Sequence, residues 1–334
     1  MSIIKDLSEV KEQYAFAAEK GWVLPCICSE NLTTTEAILS AASEFAKEKG
    51  YKRLPIIIAI TCNYDHRSQA VFYTHTRDCK TGLKLFTNDI KALADENGYF
   101  SNVDVMIHLD HIQFDADSEL LNGDLTDYAS IMYDASTLPF EENIKRTADF
   151  FSKRGKEILV EGACDEIVDA TGEEHNELTT PQNALRFKNE TGVQLIVANL
   201  GTEHRASGKE LKYHGDLAAK IKAAIGSNIV LHGTSSVTNE QVKDLYSQGI
   251  CKVNIWTALE RDSSPALFED MVKNAVKVAG QDTVKKLLSQ GLLGENTSIE
   301  GKTALSHFTS AYRQDIIFNE MKAMVKAYLN LWYI

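Results

Sequence analysis

The sequence predicts an α/β protein, a closed (β/α)8 TIM barrel with a helical C-terminal extension. Three features carry this reading. Eight short apolar, β-branched runs recur along the 334 residues, amphipathic segments with helix start and stop signals lie between them, and polar residues collect at the C-terminal end of nearly every run. Continuous apolar strands alternating with helices indicate a parallel sheet covered on both faces. Eight such units suggest closure into a barrel, with an open doubly wound sheet as the alternative.

In chain order, the strands fall near WVLPCIC (22–28), LPIIIAIT (54–61), VDVMIHLDH (103–111) and YASIMYDAS (128–136), then EILVEGACD (157–165), VQLIVANLGTEH (193–204), NIVLHGTSS (228–236) and CKVNIWTAL (251–259). Between them, LTTTEAILSAASEFAKEKG (32–50) starts at Thr and stops at Gly50, and PFEENIKRTADFFSKRG (139–155) starts with Pro and stops at Gly155. The whole chain, 1–334, reads as one domain with a barrel core of about 20–260 and a helical extension over 261–334. Within the extension, DIIFNEMKAMVKAYLNLW (315–332) has an apolar stripe at helical spacing. Its end, Leu331, Trp332 and Tyr333, is an apolar set to find in water on a monomer. Such an end is covered either by a subunit contact in a homo-oligomer, a dimer or tetramer, or by packing back onto its own barrel, and the sequence weighs the two about equally.

Composition removes several functional classes. A net charge of −12 with no dense Lys/Arg cluster argues against nucleic acid and against anionic membrane surfaces as partners. The apolar runs are too short to span a bilayer, and MSIIKDLSEVKEQ lacks the basic-then-apolar pattern of a secretory signal. The six cysteines form no CxxC pair and read as reduced, mostly buried thiols of a cytoplasmic protein.

The C-terminal ends of all barrel strands meet on one face, so residues distant in sequence converge there. Thr61, Asp110, His111, Asp134, Glu161, Glu203, His204, His232, Ser235, Asn254 and Thr257 all end strands. Three of these are histidines, His111, His204 and His232, on the third, sixth and seventh strands. Neutral imidazoles suit a zinc ion, and three protein ligands with one open position is the catalytic pattern. His108 sits an odd number of residues from His111, so alternation turns it to the other face and suggests a hydrogen-bonded core role. Asp110 adjoins a ligand, where it could move a proton or hold a histidine tautomer. Glu173 and Glu174 lie in the polar stretch TGEEHNELTTP (171–181) after the fifth strand.

These motifs together resemble the class II, metal-dependent ketose-bisphosphate aldolases over about residues 20–260. IHLDH, YASIMYDASTLPFEENI, NLGTEH, IVLHGTSS and CKVNIWTAL are similar to the family's strand-end segments, in the family's order. The resemblance implies one Zn2+ per subunit on His111, His204 and His232, with a monovalent cation possible beside the substrate. It implies that Asp110 protonates and deprotonates the hydroxyl of the cleaved carbon. It further implies that Glu174, or else Glu173, exchanges the enediolate proton and that Asn254 steadies the enediolate. Gly233, Ser235 and Thr257 fall in the phosphate cradle, with Thr61 also on the substrate side. The implied reaction is reversible aldol cleavage of a sugar phosphate. A catalytically silent, aldolase-like binding subunit and a zinc hydrolase are the alternatives.

The departures from the family pattern fall in the substrate shell. Arg205 follows the sixth-strand histidine where the family has Gly, and Thr234 and Ser236 replace small residues. Trp256 fills a small or acidic position, Cys28 stands where Asn is common, and Ala163 replaces a second glutamate. An Arg beside the metal suits an anionic substrate group. The expectation is retained aldol chemistry on an atypical substrate, with fructose 1,6-bisphosphate a poor one.

Overall fold

The computed structural model describes residues 3–166, 178–205 and 208–334. Among the described residues, nine parallel strands form one sheet: β1 (Ile3–Ile4), β2 (Leu24–Cys28), β3 (Leu54–Thr61), β4 (Val103–Gln113), β5 (Ser130–Asp134), β6 (Leu159–Ala163), β7 (Leu195–Val197), β8 (Ile229–Leu231) and β9 (Ile250–Ile255). Each of β2 to β9 pairs with the next, and β9 pairs with β2, so eight strands close into a barrel with helices between them. All eight expected runs are present. Their ladders stop earlier than the apolar pattern suggested at β7 and β8, because Gly201 and Gly233 (φ 86° and 71°) turn the chain out of the sheet. β1 was not anticipated. It is two residues long and pairs with Val105 and Met106, below the point where β5 joins β4 at His108.

The flanking helices follow their end signals. Helix Leu32–Lys49 is capped by the Asn31 side chain, which accepts from the Thr34 amide, and ends on Gly50 at φ 74°. The helix begins at Leu32, the first residue of the expected segment, with Asn31 just before it as the cap. Its face Ala37, Ile38, Ala41, Ala42 and Phe45 is buried. Helix Phe140–Arg154 begins after Pro139 and ends at Gly155 as expected.

The C-terminal stripe packs on its own barrel. Helix Ser310–Trp332 lies against helices Leu32–Lys49 and Thr257–Lys273 and closes the outer ring. Trp332 is buried and donates its indole N–H to the Val242 carbonyl at 2.8 Å. Tyr333 stacks on Trp22 with centroids 4.4 Å apart and donates to the Pro55 carbonyl at 2.7 Å. The aromatic end that had suggested an oligomer contact is therefore spent on the chain's own core. Replacing Trp332 with Ala should cost about 3–5 kcal/mol, as for other buried large-to-small changes. Urea titration with an unchanged m-value checks this, and a shift in midpoint too small for 1 kcal/mol would contradict it.

Candidate metal centre and active site

β4 positions two of the expected site residues, and it does so through a break in its ladder. Its pairing with β5 slips between Leu109 and Ile112, and His111 takes φ 47°, a left-handed conformation that is rare for a side-chain-bearing residue. A regular strand would turn Asp110 and His111 to opposite faces. The bulge instead leaves both at the barrel mouth. It also corrects the expectation for His108, which alternation had turned away from the site. His108 points inward on the same face as Asp110, with its Nε2 3.5 Å from that carboxylate.

The three histidines converge. Their candidate ligand atoms all lie within 4.8 Å of one another, and His111 Nε2 sits 3.1 Å from His232 Nδ1. His111 Nδ1 is 2.7 Å from Asp134 Oδ2. With its N–H given to that carboxylate, His111 keeps Nε2 for a cation. Burial works to raise the Asp134 pKa, but the hydrogen bond and charge of His111 outweigh it and draw it down to about 2. Burial opposes the charged form of His111, yet Asp110 and Asp134 raise its pKa above the usual histidine value. Burial, with the His111, His204 and Lys252 charges, holds His232 well below the usual value, so it is a neutral donor. A divalent cation would take the place of the proton shared between His111 and His232, and three imidazoles suit zinc. The donor set fits the metal that the motifs implied. Replacing Asp134 with Asn should therefore weaken metal binding roughly 10- to 100-fold. Competition with a chromogenic chelator measures this, and unchanged affinity would remove Asp134 from the support of the site.

Asp110 is buried beside the triad. Asn254 donates to its Oδ1 at 2.8 Å, and the Cys28 thiol donates to its Oδ2 at 3.4 Å. Burial disfavours its charge, but His111, His108 and His232 together keep its pKa well below the ordinary carboxylate value. Cys28, one of the departures from the family pattern, thus serves the carboxylate directly. Beneath Asp110, Lys252 and Glu161 form a fully buried ion pair at 2.7 Å, and Lys252 Nζ lies 3.2 Å from His108 Nε2. Burial opposes the Lys252 charge, while Cys26, Glu161 and Asp110 hold its pKa above the usual lysine value. On its other ring nitrogen, His108 Nδ1 lies 2.8 Å from Ser130 Oγ. The core role expected for His108 is met by this network.

The expected substrate residues line the same cleft. Gly233 carries φ 71°, and a Cβ there would lie 2.8 Å from the Glu203 backbone, so only glycine fits. Ser235 and Thr257 line the cleft, Thr257 as the first residue of helix Thr257–Lys273. Thr234 and Ser236 bond to the Asn254 and Gly233 carbonyls, which gives these two departures a role in the loop itself. Thr61 lines the cleft, but its hydroxyl is taken up locally: it donates to the Arg67 carbonyl and accepts from the Gln69 amide at 2.9 Å. Arg205 adopts φ 54° where the family has Gly, and its guanidinium reaches into the cleft, 3.2 Å from His66 Nδ1. Trp256 walls the cleft and donates its indole N–H to Glu30 at 3.1 Å. Glu173 and Glu174 lie outside the described residues.

Sequence reasoning missed the loop after β3. Tyr64 stacks on His111 with centroids 4.3 Å apart and planes 2° from parallel, His66 meets Arg205, and Arg67 pairs with Glu30 over the Phe72 ring. The signal was present, because CNYDHRSQ (62–69) directly follows a barrel strand on the face where sites form.

The class II fructose-bisphosphate aldolase family model matches residues 8–328. Among solved structures, the chain is similar to the fructose-bisphosphate aldolase of Campylobacter jejuni, with 17% identity, a TM-score of 0.72, and coverage of 99% of this chain and 95% of that one. It is likewise similar to the YdjI aldolase of Escherichia coli K12, with 20% identity, a TM-score of 0.64, and coverage of 97% and 96%. At these identities the likeness to the solved structures is one of fold.

Proposed function

The chain belongs to the class II fructose-bisphosphate aldolase family and is an aldolase, a carbon–carbon lyase; from that premise we propose that it catalyses the zinc-dependent, reversible cleavage of a phosphorylated ketose or related sugar into a dihydroxyacetone phosphate-type enediolate and an aldehyde. One observation carries the reading. Three imidazoles with ligand atoms inside 4.8 Å stand beside a buried carboxylate held by Asn254. When bound there, Zn2+ supplies a Lewis acid that polarises the ketose carbonyl. Asp110 takes the proton from the hydroxyl of the carbon being cleaved and returns it in the condensation direction. Asn254, whose amide donates to Asp110, steadies the enediolate in this reading. Gly233, Ser235 and Thr257 hold the phosphate, Thr61 borders the opposite wall, and Glu174 exchanges the enediolate proton. A monovalent cation beside the phosphate belongs to the same reading. So does a single barrel domain over 1–334.

The reading includes a cytoplasmic homo-oligomer, a dimer or tetramer. No described helix is long and apolar enough to cross a membrane, and Phe268, Leu292 and Leu305 offer exposed apolar surface for a subunit contact. The test is a screen of ketose mono- and bisphosphates with and without chelator. Chelator-sensitive C–C cleavage supports the proposal, and phosphate release without an aldehyde product refutes it.

Arg205 sets the substrate preference in this reading. An arginine held at φ 54° carries a backbone cost of about 1–2 kcal/mol that glycine would not. A fork of fixed donors facing the cleft offsets that cost if it grips an anionic group. Arg205→Gly should therefore stabilise the fold slightly while raising KM for the true substrate with little change in kcat. Fructose 1,6-bisphosphate should be a poor substrate for the wild-type chain. Its efficient cleavage, untouched by Arg205→Gly, would refute this.

A further inference from the structure

Asp110 and Asn254 stand on strands that are not neighbours. Asp110 is on β4 and Asn254 on β9, with β3 and β2 between them in the sheet. Asp110 also lies where the β4–β5 ladder slips, so pairing holds it from the β3 side, at Thr61. Side chains join β4 and β9 across the barrel interior at two levels. At the upper level Asn254 donates to Asp110 at 2.8 Å. The lower level is two residues back along each strand, and so on the same faces. There Lys252 Nζ lies 3.2 Å from His108 Nε2. This level reaches a third strand, because Glu161 on β6 takes the same ammonium at 2.7 and 2.9 Å. His108 Nε2 is also 3.5 Å from the Asp110 carboxylate, so one imidazole faces both levels. His108, Glu161 and Lys252 are fully buried.

We propose that Lys252 is a positioning residue: its ammonium, seated on Glu161, holds His108 and through it fixes the spacing of Asp110 and Asn254 for proton transfer. Stability does not account for the buried pair. A lysine and a glutamate withdrawn from water lose hydration that their attraction only partly returns. Apolar residues of similar volume commonly serve a core as well or better. What the ammonium adds is direction, since it offers three N–H donors that can be aimed at partners on different strands. Here the partners stand on β4 and β6, and the donor stands on β9, directly below Asn254.

His108 is well placed to pass this on. It pairs with Ser130 just before the β4–β5 register slips, and its Nδ1 lies 2.8 Å from Ser130 Oγ. β4 is thereby gripped from β5 and from β9 two residues short of Asp110, where its own ladder gives out. Without the ammonium, apolar packing and two intervening strands would set the gap between β4 and β9. A misplacement of about an ångström near the reacting atoms can cost roughly 100-fold in rate. The effect on rate rests on the aldolase reading; the spacing does not.

The test removes both charges at once, with Lys252→Met and Glu161→Met together in the zinc-loaded full chain. The urea midpoint should stay level or rise, and zinc content should hold. kcat should fall roughly 10- to 100-fold, while KM for the cleaved ketose phosphate stays within about twofold. In a crystal structure of the variant, Asp110 and Asn254 should stand beyond hydrogen-bonding reach, about 3.5 Å. His108→Leu leaves the ion pair whole and cuts the tie, and it should show the same split between kcat and KM. It decides the matter if the double variant does not fold. Wild-type kcat in a folded variant of either kind overturns the proposal. So does a loss carried by KM, or a kcat that falls only in step with the folded fraction, because that is a packing role. If the wild-type chain cleaves no ketose phosphate, the aldolase reading fails separately. The Asp110–Asn254 distance in the folded variant then decides this one, and 2.8 Å retained overturns it.

Discussion

Replacing any one of His111, His204 or His232 with Ala should leave a folded barrel that neither retains zinc nor cleaves substrate. The expected loss of activity is complete within assay limits, because in the proposed reaction the metal would supply the carbonyl polarisation. The fold should survive. The triad sits at the mouth on strand ends and loops, while the core is built from residues such as Ile56, Ile58, Val105, Ile107, Val160 and Val253. His111→Ala also removes the hydrogen bond to Asp134, whose carboxylate keeps its donors Gln113 and Ser136. Metal analysis after exhaustive dialysis, circular dichroism and a cleavage assay together decide the matter. Full zinc occupancy in all three variants would sink the metal centre.

Asp110→Asn is expected to lower kcat by about 10²–10⁴, or roughly 3–5 kcal/mol of barrier, with zinc still bound. Asparagine keeps the shape and can still meet Asn254 and Cys28, but it cannot take a proton. The informative pair is kcat against metal content. If kcat holds and only zinc affinity falls, Asp110 supports the ligands instead of moving a proton.

Much of this was legible in the chain. Strand number, the parallel sheet and the histidine triad follow from patterns that lie within single segments: apolar runs, helix caps, and polar residues at strand ends. Legibility stopped where a residue's direction depends on its neighbours in space. The alternation rule places His108 and His111 on opposite faces, and only the slipped β4–β5 pairing puts both on the barrel's inner side. Likewise Asp134 was visible as a polar strand end, but its hold on His111 needs the adjacency of β4 and β5. The amphipathic stripe of helix Ser310–Trp332 declared that the helix is covered without saying by what. Trp22, Val242 and Pro55, which receive its end, are scattered over more than two hundred positions. Arg205, expected at the cleft, lines it. Its companion His66 is 139 residues away and went unnoticed.

The bulge at His111 has a mechanical meaning. Asp110 and His111, the proposed proton carrier and metal donor, are consecutive and so separated by one peptide unit, in a strand paired with β3 up to Asp110 and with β5 again from Ile112. No loop movement, substrate swap or subunit contact can change that spacing without tearing the sheet. The cleft's outer wall, by contrast, is formed by residues outside the barrel ladders, among them Tyr64, Arg67, Arg205 and Trp256. The barrel therefore works as a chassis and an interchangeable fitting. A substitution in the fitting reshapes the cleft while the inner pair keeps its spacing.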